Sequence, residues 1–202
     1  MTKTYRLTAV VLLCIFIVAC SKEKSLDPSS GGNASGLIGN YKFLNLYVKG
    51  TSIVEVPAFD AKTVSFFEYT TKNNSGTVTI TKDKFTYTDL SYSVDTNFMA
   101  YYYDAGILVD SFDFPLMVTM PTTNVTTPYE YFAPDSIYYA GGSPMSQGGT
   151  TVSTQAGGGR FSIENDKLII TSRVFVTKNE TNQGQQQTIR SSAISVATLQ
   201  KQ

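Results

Sequence analysis

Residues 78–90 read VTITKDKFTYTDL, and this stretch decides the fold class that the chain is expected to adopt. Apolar or aromatic residues alternate with threonine on both sides of the polar residues 82–84. Alternation with a period of two places every second side chain on the same face of a strand, so the stretch predicts two strands joined by a tight turn. Beyond Asp89 the apolar positions change parity to Leu90 and Tyr92, which predicts a β-bulge or a bend.

The same pattern extends outward from this hairpin over most of the chain. β-Branched and aromatic residues recur in short stretches that are separated by Gly, Asn and Asp. Strands are predicted at residues 40–49, 63–70, 76–82, 84–94, 98–109, 112–120, 136–139, 159–164, 167–177 and 188–198. No window has the spacing of an amphipathic helix. We therefore predict an all-β domain, built as an antiparallel up-and-down β-barrel or, alternatively, as a β-sandwich.

A second hairpin is predicted at residues 161–168, which read FSIENDKL and parallel residues 78–85. In both stretches an Asp lies near the bend, where its side chain can accept hydrogen bonds from turn amides. A metal-binding loop needs more oxygen ligands than these turns offer. Shared turn chemistry, rather than a duplicated domain, therefore explains the similarity.

Residues 121–159 interrupt the strand pattern with four prolines and several runs of glycine. A loop of this length inside a compact domain is usually functional or mobile. We expect it to pack over the domain as a lid or to present a contact surface. Its aromatic residues are Tyr129, Tyr131, Phe132, Tyr138 and Tyr139. Residues 179–187 are polar and are predicted to form the solvated end of a hairpin.

The composition argues against several functional classes. In 202 residues, 16 Lys and Arg balance 16 Asp and Glu, so the chain lacks the basic surplus of a nucleic-acid-binding protein. The sequence has no His, which excludes Ser-His-Asp and Cys-His catalysis in their usual form and removes the commonest zinc ligand. It also has no phosphate-binding loop and no nucleophile elbow. We therefore predict a protein that is not an enzyme, with no cofactor, no metal and no nucleic-acid partner.

Charge is unevenly distributed along the chain. Residues 85–159 contain no Lys or Arg and seven acids, which are Asp89, Asp95, Asp104, Asp110, Asp113, Glu130 and Asp135. Residues 160–202 contain six basic and three acidic residues. Carboxylates suit a calcium ion, but their spacing here matches no calcium-binding motif. Solvated strand ends and loops are therefore the preferred interpretation of the acidic stretch.

The first residues have the composition of a secretory signal. Lys3 and Arg6 precede an uncharged run at residues 7–19. This run has 13 residues, whereas a helix that spans a bilayer needs ~20. We therefore predict an export signal rather than a membrane-spanning helix.

Residues 17–20 read IVAC and resemble the lipobox of bacterial lipoproteins. The resemblance implies that residues 1–19 are a removed signal peptide and that Cys20 carries acyl chains such as palmitate. Two or more buried chains give stable membrane anchoring, since each CH₂ contributes about 0.8 kcal/mol. Ser21, rather than Asp, resembles the sorting signal of lipoproteins that reach the outer membrane. Residues 20–36 are small and polar and predict a flexible tether.

Residues 37–43 read LIGNYKF and resemble the start of bacterial lipocalin-like lipoproteins, in which a Gly-x-aromatic pair begins the first barrel strand. Tyr41 stands where that family often has Trp. With the lipobox and the polar tether, the chain resembles the lipocalin-like lipoproteins of Bacteroidetes. This resemblance implies an up-and-down barrel over residues 37–202 with a cup for a ligand.

Two functions suit these expectations. The first is binding of a small hydrophobic or aromatic ligand inside the barrel, where aromatic side chains line a cavity. The candidate ligand-binding residues are Tyr101, Tyr103, Tyr129, Tyr131, Phe132 and Tyr138. The alternative is a non-catalytic interaction or structural lipoprotein with a filled core, whose outward aromatic side chains contact a protein or glycan.

Residues 135–137 are Asp-Ser-Ile and resemble the O-glycosylation acceptor of exported Bacteroidetes proteins. The resemblance implies a glycan on Ser136, in a segment that is expected to be accessible. A turn at the start of a strand is the alternative interpretation of these three residues.

The expected anchor is tested by the substitution Cys20→Ser, which removes the predicted site of acylation. The variant should be released as soluble protein, because the sequence offers no other lipid attachment site and no apolar span of sufficient length. Partition into the detergent phase after Triton X-114 extraction measures this directly. If the variant partitions like the wild-type chain, the anchor is not at Cys20.

Overall fold

The computed structural model describes residues 36–132, 134–141 and 156–202. The strands are β1 Gly39–Val56, β2 Ala61–Thr70, β3 Lys72–Ile80, β4 Lys84–Asp104, β5 Ile107–Pro128, β6 Glu130–Phe132, β7 Ser136–Tyr139, β8 Gly157–Glu164, β9 Lys167–Asn182 and β10 Gln185–Lys201, with a short 3-10 helix at Pro57–Phe59 between β1 and β2. The described residues all belong to one compact unit. The predicted signal peptide, Cys20 and nearly all of the predicted tether lie outside the described residues.

All pairings between the described strands are antiparallel. Across the sheet the order is β6-β7-β8-β9-β10-β1, then β2 together with β3, then β4 and β5. β2 and β3 lie end to end, because each pairs with β1 on one side and with β4 on the other. The predicted all-β class and the antiparallel up-and-down strand order are therefore confirmed.

A complete β-barrel is not clearly formed. The ring that pairings close directly contains β1, β2, β4 and β3. β5 pairs with β4, and after Tyr129 the chain continues into β6, which pairs with β7. The sheet is therefore barrel-like at the end where β6, β7 and β8 lie. Among the described residues, β5 pairs with β4 alone, and beyond Ser172 β9 pairs with β10 alone.

Three two-residue turns fix the hairpin registers: Ala105-Gly106, Asn165-Asp166 and Gln183-Gly184. All six residues have positive φ, between 46° and 80°. Turns of this left-handed kind match the twist of antiparallel strands, so the hairpins can continue without a break in pairing. The hairpins predicted at residues 161–168 and 179–187 are therefore confirmed.

The β-bulge predicted at Asp89 is also confirmed. Asp89 has a φ of 52°, and the β4–β5 register shifts between Tyr87 and Leu90. Its backbone N–H donates to Oδ1 of Asn124 at 2.9 Å, outside the regular ladder. Opposite the bulge, Gly76 has a φ of 109°, and a Cβ there would lie 2.7 Å from the Cα of Leu90. The kinked strand therefore needs glycine at this neighbouring position.

Two predictions about segment boundaries are wrong. Residues 84–94 and 98–109 were expected as two strands, but β4 runs without interruption over Lys84–Asp104. The loop expected at residues 121–159 begins instead with strand, because β5 extends to Pro128 and β6 follows, whereas the strand predicted at residues 136–139 is confirmed as β7. Proline is tolerated on β5 because an edge strand has one side without a partner. Residues 142–155 of the expected loop lie outside the described residues.

The hydrophobic core occupies one end of the sheet, which we call the packed end (residues 37–48, 69–94, 120–132, 134–141, 157–172 and 195–201). Tyr41, Phe43, Phe85, Tyr87 and Leu90 are all at most 1% exposed. Strands from both sides of the sheet contribute, and the further buried apolar side chains here are Leu37, Leu46, Val48, Tyr69, Val78, Ile80, Tyr92, Val94, Met120, Tyr129, Ile137, Tyr139, Leu168, Ile170, Ala197 and Leu199. Burial of this apolar surface is the main source of stability.

The remaining six-stranded part of the sheet forms the arm (residues 49–68, 95–119 and 173–194). Its strand order is β5-β4-β2-β1-β10-β9. Among its described residues, the buried apolar side chains are the small ones of Ala61 and Ala100. The arm is therefore held mainly by the antiparallel ladders and by cross-strand side-chain pairs, whose individual contributions are about 0.2–1 kcal/mol.

The difference between the two ends predicts the result of two leucine truncations. Leu90 in the packed end is 0% exposed, whereas Leu108 in the arm is 51% exposed. Leu90→Ala should lower the free energy of unfolding by about 2–5 kcal/mol, because it leaves a cavity. Leu108→Ala should change it by less than about 0.5 kcal/mol. Urea denaturation measures both, and equal losses would contradict the assignment of the core to one end.

Candidate interaction surface

Tyr129, a predicted ligand-binding residue, is part of the core. Its hydroxyl donates to the carbonyl oxygen of Thr81 at 2.8 Å, and its backbone N–H donates to the carbonyl oxygen of Asp83 at 2.9 Å. Its ring meets Phe85 edge-on, with 4.8 Å between centroids. Tyr129 therefore fastens the β5–β6 junction to the β3–β4 turn and does not belong to a lid.

Tyr131, Phe132 and Tyr138 also lie on strands rather than on the expected lid. Tyr131 is half-buried beside the core, where its ring centroid is 6.1 Å from that of Phe161 and its hydroxyl donates to the carbonyl oxygen of Pro134 at 2.9 Å. Phe132 and Tyr138 have the opposite parity in the β6–β7 ladder and lie on its other face. The predicted lid is therefore wrong for the described part of this segment.

Tyr101 and Tyr103 lie at the far end of β4, in the arm. The Tyr101 ring makes an edge contact with Phe66, with 5.9 Å between centroids. Nζ of Lys62 is 4.9 Å from the centroid of Tyr103, within the range of a cation–π interaction. About 50 Å of strand separates Tyr101 from Phe85, the partner of Tyr129. The six predicted ligand-binding residues are therefore not brought together in one site.

Ser136, the predicted glycosylation site, begins β7. It is half-buried, and its hydroxyl donates to Oδ1 of Asp135 at 3.2 Å. Ser136 is paired with Arg160 on β8. Glycosylation at Ser136 and acylation at Cys20 both remain predictions.

The arm also carries an aromatic surface that the predicted site residues did not include. Phe67, Phe98 and Phe114 stand on β2, β4 and β5, with 5.5 Å between successive ring centroids. Phe112 continues the row along β5, 6.0 Å from Phe114. We call this set the phenylalanine row. Its last two rings, Phe112 and Phe114, are 45% and 37% exposed.

The phenylalanine row lies on the face of the arm that continues the core, which we call the core-side face. Strand register extends it sideways, because Phe67 pairs with Gly50, Gly50 with Ala193, and Ala193 with Val174. A Cβ on Gly50 would lie 2.4 Å from the Phe67 ring and 2.6 Å from the carbonyl oxygen of Ser192. Glycine at this position therefore lets the Phe67 ring lie flat over β1.

The far tip of the arm is also apolar. The β1–β2 turn exposes Phe59, and the start of β5 exposes Ile107, Leu108 and Val109, each at least half exposed. A hydrogen bond from the backbone N–H of Ala105 to the carbonyl oxygen of Asp60, at 3.1 Å, joins the two turns. The tip and the phenylalanine row together leave a large apolar area of the arm in contact with solvent.

The opposite face of the sheet, the outer face, carries most of the charge. A depression of about 750 Å³ is lined by Ser136, Ile137, Gly158, Gly159, Arg160, Thr171 and Arg173. Within the described ranges, neither arginine takes part in an ion pair. Elsewhere on this face Lys49 lies 2.8 Å from Glu68, and hydrogen bonds from Lys49 and from the Tyr47 hydroxyl lower the pKa of that carboxyl group. Because the side chains of Lys49 and Glu68 are more than half exposed, this ion pair contributes little to stability.

Comparison with protein-family models, with curated proteins and with solved structures finds no match to this chain. The lipocalin-like lipoprotein identity therefore remains a prediction from the sequence. In residues 36–132, 134–141 and 156–202, no helix is long and apolar enough to cross a membrane. Over the same residues, no three Cys, Asp or Glu side chains are grouped so that they could hold a metal ion.

The buried tyrosines predict how stability depends on pH. Burial raises the pKa of Tyr92 and of Tyr129 to about 12, from the usual value of 10.0. Above pH 10 the unfolded chain releases these protons while the folded chain keeps them. The contribution of the two tyrosines to the free energy of unfolding is therefore fully present below pH 10 and is lost between pH 10 and pH 12. The slope for each tyrosine is about 1.4 kcal/mol per pH unit.

Urea midpoints measured between pH 7 and pH 12 should stay level to about pH 10 and then fall. In Tyr92→Phe the fall should be shallower, because one of the protons linked to unfolding is absent while those of the other buried tyrosines remain. If absorbance at 295 nm shows that all tyrosines ionise near pH 10 while the chain is still folded, the assigned burial is wrong.

Proposed function

We propose that the chain is a membrane-anchored, non-catalytic interaction protein whose arm binds another macromolecule. The observation that carries the proposal is the phenylalanine row, whose rings contact each other across three strands and remain exposed at Phe112 and Phe114. Contiguous apolar surface of this kind marks contact sites on soluble domains, and aromatic residues are enriched at such sites. The anchor expected at Cys20 and the polar tether supply the attachment to the membrane.

The filled core supports this proposal over an enclosed ligand site at the packed end. Tyr87, Tyr129 and Tyr139 all point into that end and are at most 5% exposed. Tyr129 and Tyr139 both make edge contacts with Phe85, at 4.8 and 5.5 Å between centroids. Side chains that pack on each other in this way occupy the space that a barrel-enclosed ligand needs.

A second candidate function is binding of a small hydrophobic ligand on the phenylalanine row itself. It is favoured by the position of Phe67 and Phe98 on the core-side face, where they are partly buried against the core. A flat apolar molecule could stack on Phe114 and Phe112 next to them. The two candidate functions therefore differ in whether a macromolecule or a small molecule covers the phenylalanine row.

Site-specific photo-crosslinking in intact cells tests the proposal. A benzophenone side chain is placed at position 112 of the full-length chain, with position 117 as the matched control. Met117 lies on the same strand, faces the other side and is 76% exposed. We expect an adduct of protein mass from position 112 that is several times more abundant than the adduct from position 117.

The second candidate is tested in parallel with palmitate added to purified chain that starts at residue 21. A bound ligand raises the melting temperature by mass action. If palmitate raises it in the wild-type chain and in Met117→Ser, but not in a Phe112→Ser/Phe114→Ser variant, and position 112 gives no protein adduct, the small-ligand function replaces the proposed one.

A further inference from the structure

The two long sides of the arm end in strands with free backbone groups. Among the described residues, β5 bonds to β4 alone, and beyond Ser172 β9 bonds to β10 alone. An edge of this kind can accept a further strand, because every second N–H and C=O points away from the sheet. We propose that the β5 edge of one copy pairs with the β9 edge of a second copy, so that the arms join side by side in one continuous sheet. This inference rests on the proposed function and names its partner.

The directions of the two edge strands permit this pairing. Neighbouring strands alternate in direction across the order β5-β4-β2-β1-β10-β9, since each pairing is antiparallel. In a sheet of six alternating strands the first and the last run in opposite directions. A second arm placed beside the first in the same orientation therefore brings β9 antiparallel to β5, as the rest of the sheet requires.

The usable lengths of the two edges agree. On β5, residues 107–114 precede Pro115, which lacks an N–H and limits how far a second partner can follow this strand. On β9, residues 173–182 lie beyond the part that pairs with β8. Eight residues of β5 can therefore pair along β9 without displacing any strand.

The side chains of the two edge strands are complementary when the lateral rows of the sheet continue from β5 of one copy into β9 of the second copy. The existing register places Phe114 and Val174 at the two ends of one lateral row that crosses the six strands of the arm. In the joined sheet this register pairs Phe114 with Val174 and Phe112 with Val176, all on the core-side face. Aromatic and β-branched side chains are a favourable combination across strands. The exposed end of the phenylalanine row is thereby covered.

Charge complements the apolar match. Residues 107–119 contain Asp110 and Asp113 but no Lys or Arg, whereas β9 presents exposed Arg173 and Lys178. The same register places Asp110 opposite Lys178, where it joins the carboxylate of Glu180 that Lys178 already contacts. On the outer face Asp113 is diagonal to Arg173, which has no ion-pair partner among the described residues. Opposite charges on the two edges favour pairing of unlike edges over pairing of two β5 edges.

The expected assembly is an open chain or ring of copies. The two edges are different surfaces, so the contact is heterologous and each copy keeps one free edge of each kind. One strand pair is a small interface and is weak in dilute solution. Membrane anchoring raises the local concentration of copies, which favours the second and later contacts.

Disulfide trapping tests the pairing with purified chain that starts at residue 21 and therefore has no cysteine. Ser111 and Thr177 are exposed and face each other in the proposed register. A Ser111→Cys chain mixed with a Thr177→Cys chain should give a disulfide-linked dimer on mild oxidation, at several times the yield of either chain alone. The double variant should give a ladder of dimers, trimers and longer species.

A charge-swap series separates specific pairing from collision. Asp110→Lys should lower the yield of the mixed dimer about two- to fivefold, the range expected of an exposed ion pair. Adding Lys178→Glu to the same chains should restore the yield. Asp104→Lys is the matched control, because Asp104 is an exposed acid at the end of β4, outside the paired residues. It should leave the yield unchanged.

Carbodiimide coupling of wild-type chain avoids cysteine variants that fail to fold. A mixture of ¹⁴N and ¹⁵N chains should yield mixed-isotope peptides that join residues 107–119 to Lys178. A disulfide or amide link between residues 107–119 and β9 of the same chain would overturn the proposal, because β5 would then meet β9 of its own copy. Absence of links between copies would overturn it as well. If position 112 still captures a different protein in cells, the proposed function stands while self-assembly fails; if it captures no protein, both fail.

Discussion

The ring cluster around Phe85 is the interaction on which the rest of the fold depends. Phe85 on β4 contacts Tyr129 at the β5–β6 junction and Tyr139 on β7, with centroids 4.8 and 5.5 Å apart. The β1–β10 ladder joins the β1–β5 half of the sheet to the β6–β10 half on one side, and these ring contacts join the two halves a second time, across the interior. The hydroxyl of Tyr129 fixes the same junction at Thr81. A sheet that curls around such a cluster can bury one face without a second layer, which explains why the core lies at this end.

The arm is the part of the sheet that does not curl around this ring cluster. Beyond the cluster, six strands continue as one layer, and in the described residues no element covers either face of it. Such a layer can satisfy its backbone within the ladders, but its large apolar side chains keep part of their surface in water. Phe67 reduces this exposure by lying over Gly50, and Phe66 does so by meeting Tyr101. No described strand lies on the free side of β5 to cover Phe112 and Phe114, and their exposure is the physical basis for assigning a partner to the arm.

Much of the fold could be predicted from local sequence. Alternation with a period of two identified the strands, and the change of parity at Asp89 located the β-bulge, because both signals depend on residues that are adjacent in the chain. The end of β5 could not be predicted in the same way. Pro121 and Pro128 interrupt any local strand pattern, and they are compatible with β5 because its far edge has no partner. Whether a strand lies at an edge is a property of the whole sheet.

The candidate site was harder to predict than the fold, for a related reason. Tyr101 and Tyr129 are both aromatic residues in β-rich sequence, yet one lies in the arm and the other in the core. Composition cannot separate these environments, since the difference depends on which strands cross the interior. The spacing of Phe112, Phe114 and Leu116 did carry a usable signal. It marks one face of a strand in a stretch without basic residues, which is an apolar face beside an acidic edge.

Hydrogen–deuterium exchange as a function of protein concentration tests the central claim most directly, namely that the arm forms contacts through its exposed edges and face. Chain that starts at residue 21 is labelled at low and at high micromolar concentration, and protection is compared for residues 107–114, residues 174–181 and the packed end. The account predicts that protection of both edge segments rises together with concentration, while that of the packed end stays the same. Exchange in the two edge segments that is independent of concentration, or protection that rises in one of them alone, would contradict it.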